Sequence, residues 1–437
     1  MTDIREIALT LLDEYEASDK YINLSLSSHR LDRLDGEGRA QLTALLYTTV
    51  ERKLSYDYYI GAISGRAPDA IDMHTRNILR LGIAQILEMR SIPDFAAVNE
   101  TVKLGRNKGE RAFINGVLRA VCDKKGDMPL PPEAKNYKRY LSVKHSYPLW
   151  IVKLLDAAYG REECERILAA MNGSCYTDLT VNTARISADE LVALFAASGV
   201  TAERKFDTGA TLRINSSVNP ERLPGFSDGL FFVQDAACLI SALALDPADA
   251  ELCVDVCACP GGKSFAASIL GAREVYSFDI HESKLSLITD SAARLGLDNI
   301  TAAVNDARTP RPDLVGRADC VICDVPCSGL GVLGKKPDLR YKDEESAIAL
   351  PALQLEILTA SARYLKSGGR LVYSTCTLNP AENRAVVDAF LAANTDFTLT
   401  PFTAAGISAE CGDLTLLPSV HATDGFYMAK ITKTDVK

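Results

Sequence analysis

The sequence predicts a multidomain protein: an all-α N-terminal bundle, a small α+β middle domain and a doubly wound α/β C-terminal domain. Three observations lead to this fold class. Apolar residues recur at helical spacing up to about residue 125, helical and strand-like segments mix up to about residue 235, and strands alternate with helices thereafter. With 437 residues, 47% of them hydrophobic, the chain can bury more than one core. We therefore expect a helical domain at 1–125, a linker and small α+β domain at 126–235, and an α/β domain at 236–437.

The N-terminal part, from Ile4 to about Cys122, has helical periodicity only. The segments "ILRLGIAQILEM" and "AFINGVLRAV" place apolar residues on one helical face, and no strand-like alternation interrupts them. The following "DKKGDMPLPPEAKNYKRY" concentrates glycine, proline and charge, as linkers do. Beyond it, the helical "ADELVALFAASG" lies between the short strands "DLTVNT" and "TLRIN". This mixture predicts the small α+β domain.

The C-terminal part contains five strand-like segments separated by helical ones: "LCVDVCA", "EVYSFDI", "ITAAVND", "DCVICDV" and "RLVYSTC". Such alternation predicts a mainly parallel sheet covered by helices on both faces. In these sheets ligands bind beyond the carboxyl ends of the strands. The residues that follow each strand are therefore the candidates for function.

Composition excludes several classes of protein. No apolar run reaches the roughly 20 residues that span a bilayer, and the N-terminus "MTDIREIALTLLDEYEA" is acidic and amphipathic rather than signal-like. We expect a cytoplasmic protein without a membrane partner. The 12 cysteines lie mostly in apolar, strand-like text, which favours reduced core residues over disulfides. Cys320 and Cys323 form a CxxC, but no second CxxC or histidine pair completes a zinc site, so we expect no metal.

The net charge of −9 argues against a polyanionic partner, but two basic clusters run counter to the average. Basic residues outnumber acidic ones between Lys103 and Lys144. A second cluster, "GKKPDLRYK", contains Lys335, Lys336, Arg340 and Lys342. Each cluster alone is typical of a solvated surface. Beside a catalytic site, the two clusters would hold the phosphates of a nucleic acid.

Three strand ends together describe a nucleoside site. In "DVCACPGGKSF", Gly261 and Gly262 let the backbone approach a ligand closely, and the next helix begins with unpaired N–H groups. The pattern is neither GxGxxG nor a P-loop. Asp279 ends the second strand, where it could accept from a ribose diol, and Asp306 follows the third, where it could accept from an adenine amino group. A nucleoside site without a pyrophosphate cradle favours S-adenosylmethionine as the cofactor.

Two cysteines follow neighbouring strands on the same rim: Cys327 in "CDVPCSGLG" and Cys376 in "YSTCTLNP". Either one alone is typical of a small core residue. Carbon 5 of cytosine is too weakly nucleophilic to take a methyl group until a thiolate has added to carbon 6. A second group must then assist removal of the carbon 5 proton before the thiol can leave. A cysteine pair beside a methyl donor therefore indicates cytosine methylation, with one cysteine attacking and the other assisting release.

A family resemblance extends this hypothesis. The segments "CACPGGK", "DVPCSGLG", "PDLRYK", "STCTLNPAEN" and "DGFYMAK" resemble, in order, the motifs of the Nol/Nop/Sun family of RNA (cytosine-5)-methyltransferases. The N-terminal "AAVNETVKLGRNKGERAFINGVLRAV" is similar to the NusB-like RNA-binding domain. The resemblance implies a NusB-like helical bundle, a Rossmann-like methyltransferase domain, and small-subunit ribosomal RNA as the substrate.

The resemblance also implies roles for individual residues. Cys376 would be the nucleophile and Cys327 would assist product release. Asp324 would join the cofactor-site carboxylates Asp279 and Asp306, and would also contact the target base. The cofactor loop would consist of Cys257, Ala258, Cys259, Pro260, Gly261, Gly262 and Lys263.

Two other functions fit parts of the sequence. One is a related methyltransferase acting on another RNA, such as transfer RNA, against which the NusB-like domain argues. The other is a ribosome-assembly factor that binds RNA and cofactor without turnover. The presence of both Cys327 and Cys376 argues against it. We expect the protein to be a monomer.

Overall fold

The computed structural model describes residues 4–18, 34–173, 176–215 and 218–434. The chain forms two compact units. The helical unit comprises Met1–Leu168 together with Lys336–Lys342, and the sheet unit comprises Ala169–Lys335 and Asp343–Lys437. This division is coarser than the three domains predicted from the sequence. Within the described residues, every helix is too short or too polar to cross a membrane.

The helical unit contains α-helices throughout, several of them begun by a side-chain cap. Asp35, Asp72 and Asn107 each accept a hydrogen bond from a backbone N–H of the helix that follows, which satisfies one of its unpaired donors. The helices are α1 Ile4–Glu16, α2 Gly36–Glu51, α3 Lys53–Ser64, α4 Met73–Leu87, α5 Asp94–Lys103, α6 Lys108–Asp123, α7 Tyr137–His145, α8 Leu149–Tyr159 and α9 Arg161–Asn172, which runs into the sheet unit. Short 3₁₀ turns lie at Pro68–Ala70 and Pro337–Tyr341.

Helix α4 lies at the centre of the helical unit. It is buried on almost every side. A Cβ added to Gly82 would lie 2.7 Å from the Leu118 side chain, so this glycine permits close packing against α6. Arg80 is only 3% exposed and is neutralised by Asp57 at 2.6 Å and Glu16 at 3.4 Å. The paired charge is therefore compatible with the apolar core.

The segment Lys336–Lys342 folds with the helices, which corrects one prediction. Arg340 is fully buried, and its Nη1 donates to the backbone carbonyls of Glu51 at 3.1 Å and Ser146 at 3.3 Å. Its guanidinium carbon lies 3.9 Å from the centre of the Tyr147 ring. The predicted phosphate contact of Arg340 is wrong, because a buried guanidinium with these partners cannot reach a nucleic acid.

The sheet unit begins with a small antiparallel sheet. Its strands are β1 Tyr176–Val181, β2 Ala202–Arg204, β3 Thr211–Asn215 and β4 Phe231–Val233, in the order β2-β3-β1-β4, and helix α10 Ala188–Ala197 accompanies them. Asp178, 2% exposed, accepts from Arg213 Nε at 2.6 Å. The predicted α+β middle domain is confirmed.

A large mixed sheet forms the rest of this unit and confirms the predicted Rossmann-like domain. Its strand order is β10-β14-β9-β8-β5-β6-β7, and β13 also pairs with β14. Strands β5 to β9 are parallel, whereas β14 runs antiparallel to β9. The strands are β5 Leu252–Asp255, β6 Glu274–Asp279, β7 Ile300–Val304, β8 Ala318–Asp324, β9 Leu365–Thr375, β10 Phe397–Leu399, β13 Asp413–Leu416 and β14 Phe426–Lys433.

Helices cover this sheet and short strands form a small ribbon beside it. The helices are α11 Ala236–Leu245, α12 Gly262–Ile269, α13 Leu285–Leu295, α14 Glu344–Ile348, α15 Leu350–Ala362, α16 Arg384–Ala393 and α17 Pro418–His421, and β11 Phe402–Ala404 pairs with β12 Ile407–Ala409. Further 3₁₀ turns are Phe206–Thr208, Pro220–Arg222, Glu282–Lys284 and Pro312–Leu314. From β5 the chain builds β6 and β7 on one side and β8 and β9 on the other, so a crevice opens at the carboxyl ends of β5 and β8.

Strand β8 explains the cysteines of the CxxC. Successive side chains of a strand point to opposite faces, so residues three apart lie on opposite sides of the sheet. Cys320 packs in one core cluster and Cys323 in the other. Burial raises the pKa of Cys320 to about 11 and that of Cys323 to about 12. Over the residues that the structure describes, no group of three or more His, Cys, Asp or Glu could hold a metal ion.

Candidate active site

A cavity of about 460 Å³ opens at the carboxyl ends of β5, β6 and β7. Of the predicted cofactor residues, Cys257, Asp279 and Asp306 line it. The remaining lining residues were not predicted from the sequence: Val256, Ile280, His281, Lys284, Asn305, Ala307, Arg308, Pro326, Leu353 and Ile357. Several of them directly follow a strand, which is the signal that could have identified them. A cavity of this size, part apolar and part polar, suits a nucleoside-sized ligand.

The two carboxylates of this cavity differ in what they can still bind. Asp279 Oδ1 accepts the backbone N–H of His281 at 2.9 Å, an arrangement that fixes the side chain at the cavity wall. The Asp306 carboxylate is occupied by Arg308, whose Nη2 lies 2.6 Å from Oδ2, and these hydrogen bonds lower the pKa of Asp306. Asp279 is therefore the better acceptor for a ligand hydroxyl, while Asp306 and Arg308 act as one paired unit.

The predicted cofactor loop lies after β5, and only Cys257 of it lines the cavity. Gly261 has φ +111°, and a Cβ there would lie 2.3 Å from the Phe265 ring, so no other residue fits. Gly262 begins helix α12. The other members of the loop do not line the cavity: Ala258, Cys259 and Pro260 precede α12, and Lys263 lies within it.

Lys263 and Asp324 form an ion pair at the rim of the sheet. Lys263 Nζ lies 2.7 Å from Asp324 Oδ2, and Asp324 Oδ1 accepts from Ser374 Oγ at 2.6 Å. Burial alone would lower the pKa of the Lys263 ammonium, but the charge of Asp324 outweighs it and raises that pKa. Lys263 Nζ also lies 5.2 Å from the centre of the Phe426 ring. The pair is thus held in a fixed orientation by β9 and β14.

A buried carboxylate lies beneath the cofactor loop. Asp255, 1% exposed, ends β5 and accepts from Ser264 Oγ at 2.7 Å. Ser264 in turn accepts from Ser277 Oγ at 2.8 Å. Burial raises the pKa of Asp255 to about 7. At neutral pH this carboxyl is therefore balanced between its protonated and ionised forms.

The two predicted catalytic cysteines are brought together. Cys327 Sγ and Cys376 Sγ are 3.1 Å apart, within hydrogen-bonding distance for sulfur. The hydrogen bond to Cys376 and burial raise the pKa of the Cys327 thiol well above its usual value. The Cys327 thiol therefore stays protonated at neutral pH, and either sulfur can be the donor of the shared hydrogen bond.

The loops that carry these cysteines pack backbone against backbone. Gly331 N–H donates to the Cys376 carbonyl at 3.0 Å, and Gly425 N–H donates to the Gly331 carbonyl at 2.8 Å. A Cβ on Gly331 would lie 1.8 Å from the Gly425 carbonyl oxygen. Glycine at 331 is required by this close approach.

Lys335 is a bridge between carboxylates rather than a surface cation, which corrects the second part of the predicted basic cluster. Its Nζ lies 2.6 Å from Asp235 Oδ2 and 3.1 Å from Asp424 Oδ2. Burial and the charge of Asp235 raise the pKa of Asp424 to about 7. Lys335 therefore stabilises two buried acids and is unavailable to phosphates. Lys336 and Lys342 are exposed.

Only some cations of the first basic cluster, between Lys103 and Lys144, are available to bind phosphates. Several of its cations are occupied by carboxylates: Lys103 by Glu100, Arg106 by Asp72 and Glu110, Lys125 by Asp94, Lys138 by Asp156 and Lys144 by Glu165. Lys108, Arg119, Lys124, Lys135 and Arg139 are exposed and make no side-chain ion pair with a described residue. We define these five as the exposed basic patch.

Comparison with protein families agrees with this architecture. The model for 16S rRNA methyltransferase RsmB/F matches residues 242–432. The NusB family matches residues 2–123, and the ferredoxin-like domain of RsmF/B-like methyltransferases matches residues 147–220. These matches confirm the NusB-like and methyltransferase domains that the motifs predicted.

Individual proteins agree with the family models. The chain is 33% identical to the probable ribosomal RNA small subunit methyltransferase B of Bacillus subtilis (strain 168), over 99% of this chain and 99% of that protein. The crystal structure of PH0851 superposes with a TM-score of 0.79 at 24% identity, covering 99% of each chain. NSun6 from Pyrococcus horikoshii with SFG gives a TM-score of 0.59 at 20% identity, over 67% of this chain and 99% of that one. The chain therefore belongs to the RsmB/F family of 16S rRNA methyltransferases, which are S-adenosylmethionine-dependent enzymes.

Proposed function

We propose that this enzyme methylates carbon 5 of a cytosine in small-subunit ribosomal RNA through a covalent bond between Cys376 and the base. The observation that carries the proposal is the 3.1 Å separation of the Cys327 and Cys376 sulfur atoms at the ends of neighbouring strands β8 and β9. A pair of thiols at one rim supplies both the nucleophile and the group that assists release.

The residues of the 460 Å³ cavity fit S-adenosylmethionine. Asp279 would accept from the ribose hydroxyls, and the apolar side chains of Leu353 and Ile357 offer a surface for the adenine ring. The Asp306–Arg308 ion pair would lie along one edge of the adenine ring. When bound, the cofactor supplies an electrophilic methyl group on a sulfonium. NSun6, whose fold resembles this chain, was crystallised with SFG, an analogue of this cofactor.

In the first step Cys376 acts as the nucleophile. Its thiolate forms a bond to carbon 6 of the cytosine, and the displaced electron pair makes carbon 5 an enamine carbon that can take a methyl group. Cys376 lies directly after β9, whose last residue, Thr375, is fully buried. The rigid strand therefore fixes where the sulfur can attack.

In the second step the product must leave Cys376. The carbon 5 proton passes to solvent water and its bonding electrons re-form the ring double bond. The carbon 6–sulfur bond breaks with its electron pair returning to Cys376, whose sulfur takes the proton of the Cys327 thiol 3.1 Å away, and Cys327 is then reprotonated by solvent. We assign Cys327 to this release, because its sulfur lies beside the sulfur that must be expelled. Until the release step its raised pKa keeps the Cys327 thiol protonated, so it does not compete with Cys376 as a nucleophile.

The Lys263–Asp324 ion pair is assigned to the target base. Asp324 is 31% exposed on its side chain and lies at the end of β8, three residues before Cys327. A carboxylate there would accept from the amino group of cytosine, which uracil lacks. The exposed basic patch is assigned to phosphates, since such contacts position an RNA without reading its sequence.

The test is a methylation assay with purified protein, ribosomal RNA and methyl-labelled S-adenosylmethionine. After digestion to nucleosides, we expect the label in 5-methylcytidine, and bisulfite sequencing should locate it at a defined cytosine of the small-subunit RNA. Cys376→Ala is the negative control. Label in transfer RNA alone would favour the tRNA alternative, and wild-type protein without any incorporation would favour a non-catalytic assembly factor.

A further inference from the structure

The Glu382 carboxylate lies between the two cysteine loops and has no role in the mechanism above. It is completely buried. Its Oε2 accepts from the Ser328 backbone N–H at 2.8 Å and from Gln354 Nε2 at 3.0 Å. Its Oε1 accepts from Ser328 Oγ at 2.5 Å, Asn379 Nδ2 at 3.0 Å and Thr377 Oγ1 at 3.5 Å. Both carboxylate oxygens are therefore fully used inside the protein.

The donors to Glu382 include residues of both loops that carry the cysteines, which the reaction must align. Ser328 follows Cys327 and Thr377 follows Cys376, and the two hydroxyls also lie 2.7 Å apart. Gln354, on α15, additionally donates to the Pro326 carbonyl at 3.0 Å. A single carboxylate thus holds both residues that adjoin the sulfur atoms, so any shift of one loop breaks hydrogen bonds to the other.

All five donors are uncharged, so these contacts leave the negative charge of Glu382 uncancelled. A buried charge acts strongly on its neighbours because water does not screen it. A second negative charge on Cys327 would be repelled by that of Glu382, because Cys327 adjoins Ser328, which makes the two shortest contacts to this carboxylate. The Glu382 charge is one of the causes that raise the pKa of the Cys327 thiol, after the hydrogen bond to Cys376, burial and the charge of Cys376.

We propose that Glu382 is a positioning residue that locks the two cysteine loops together and keeps the shared proton on Cys327, which leaves Cys376 as the attacking sulfur. This inference rests on the proposed function. It explains how two chemically identical side chains, 3.1 Å apart, acquire different roles. Glu382 acts through the cysteines and their loops and need not contact the RNA.

The test measures thiol reactivity of the full chain without RNA, so it does not depend on turnover. Initial rates of alkylation by iodoacetamide are followed between pH 6 and pH 9 and assigned to Cys327 or Cys376 by peptide mass spectrometry. In Glu382→Gln the new amide nitrogen fits the Oε1 position, where the two hydroxyl donors can rotate to accept from it. The charge is lost together with one hydrogen bond, that of Asn379 Nδ2. We expect alkylation of Cys327 at pH 8 to rise roughly tenfold, the effect of about one pKa unit.

The matched control is Asp178→Asn, a carboxylate that is 2% exposed and bound by Arg213 rather than by the cysteine loops. It should leave both alkylation rates unchanged. An equal rise in both variants, or an unchanged Cys327 rate in Glu382→Gln, would overturn the inference. If Glu382→Gln does not fold, Ser328→Ala serves instead, because it removes a donor and keeps the charge. Because the charge remains, we expect the pH at which alkylation of Cys327 accelerates to be the same as in wild type, even if a looser loop raises the rate at every pH. A lower pH of acceleration in Ser328→Ala would overturn the inference.

Failure of this inference is distinguishable from failure of the proposed function. Wild-type protein that makes 5-methylcytidine, with no change of thiol reactivity in Glu382→Gln, would refute only the role of Glu382. The expected change of thiol reactivity in a protein that methylates no RNA would refute the proposed function and leave the proton assignment standing.

Discussion

At the scale of single residues, two side chains of one type are made different by their surroundings. Cys327 and Cys376 share a hydrogen bond, and each adjoins a donor to Glu382. The contacts of Ser328, at 2.8 and 2.5 Å, are however shorter than the 3.5 Å contact of Thr377. The sequence predicts both cysteines, because each follows a strand in a distinctive motif. It does not predict the contribution of Glu382, since that depends on donors from three separate segments meeting at one carboxylate.

The roles of the cysteines can be separated by trapping. We expect Cys327→Ala to attack and methylate cytosine but to release it slowly, because the release step loses its assisting group. After incubation with RNA and S-adenosylmethionine, a denaturing gel should show a slow-migrating protein–RNA band for this variant. Cys376→Ala and the double variant should show none. A band from Cys376→Ala instead would exchange the two assignments.

Asp255 gives the stability of the enzyme a defined pH dependence. Its pKa is about 7 in the fold, against about 3.9 for an unfolded chain. Between these values the folded state holds a proton that the unfolded state has lost, so unfolding releases a proton and stability falls as pH rises. Between about pH 4 and pH 7 the free energy of unfolding falls by up to about 1.4 kcal/mol per pH unit. Below and above this range Asp255 causes no further change.

Asp255→Asn should remove this dependence while keeping an acceptor for Ser264. At each pH the unfolding temperature of wild type is subtracted from that of Asp255→Asn. We expect this difference to be distinctly larger at pH 8 than at pH 5. Comparison of melting curves at the two values checks this. Parallel behaviour of the two proteins would mean that Asp255 is already ionised in the fold at pH 5.

At the scale of elements, the sequence predicts the five parallel strands β5 to β9 of the large sheet, because buried strands are apolar runs bounded by turn residues. The antiparallel strands β10, β13 and β14 were not predicted. Because the parallel strands are predicted, the edge of the sheet at their carboxyl ends, where the site lies, is predicted as well. The sequence does not predict that the carboxylate of Asp306 is taken by Arg308, since "NDAR" fits a ligand-binding turn and a local ion pair equally well. It also does not show which glycines the backbone contacts require.

Gly331 provides the test at this scale. Gly331→Ala brings Cβ to 1.8 Å from the Gly425 carbonyl oxygen, so the loop must shift. We expect a loss of about 1–3 kcal/mol in stability, as for other overpacked sites. The displaced loop should also slow formation of a Cys327–Cys376 disulfide by diamide, measured by peptide mass spectrometry.

Gly116→Ala is the matched control for this substitution. A Cβ at Gly116 would have no atom within 4 Å, and the residue lies inside helix α6. We expect a small gain in stability, about 0.5–1 kcal/mol, and no change in the rate of disulfide formation. Equal effects of the two substitutions would refute the importance of the Gly331–Gly425 contact.

At the scale of the whole molecule, the sequence shows where charges lie but not which of them are already paired. Lys335 pairs with Asp235 and Asp424, which are 100 and 89 residues away along the chain. Arg340 enters a core built by residues that precede it by about 200–300 positions. No local pattern contains such partners. The available positive surface is therefore smaller than the composition of "GKKPDLRYK" indicates.

The exposed basic patch gives a test of RNA binding. We expect the triple variant Lys108→Gln, Lys124→Gln and Lys135→Gln to weaken binding to all RNA sequences alike. Each lost phosphate contact should reduce the slope of log K against log salt by about 0.7–0.9. Lys103→Gln with Lys125→Gln is the control, because Glu100 and Asp94 already occupy those ammonium groups. Equal slopes for the triple variant and wild type would exclude the patch from the RNA interface.

The position of β14 has a consequence for biosynthesis. This strand pairs with β9 on one side and with β10 and β13 on the other, although it follows all of them in the chain. While the polypeptide emerges from a translating ribosome, the edge of β9, and with it the turn bearing Cys376, stays open until β14 arrives. Such an edge readily associates with other nascent chains. We expect the reactive centre to be assembled only after synthesis of residue 433, with a dependence on chaperones until then.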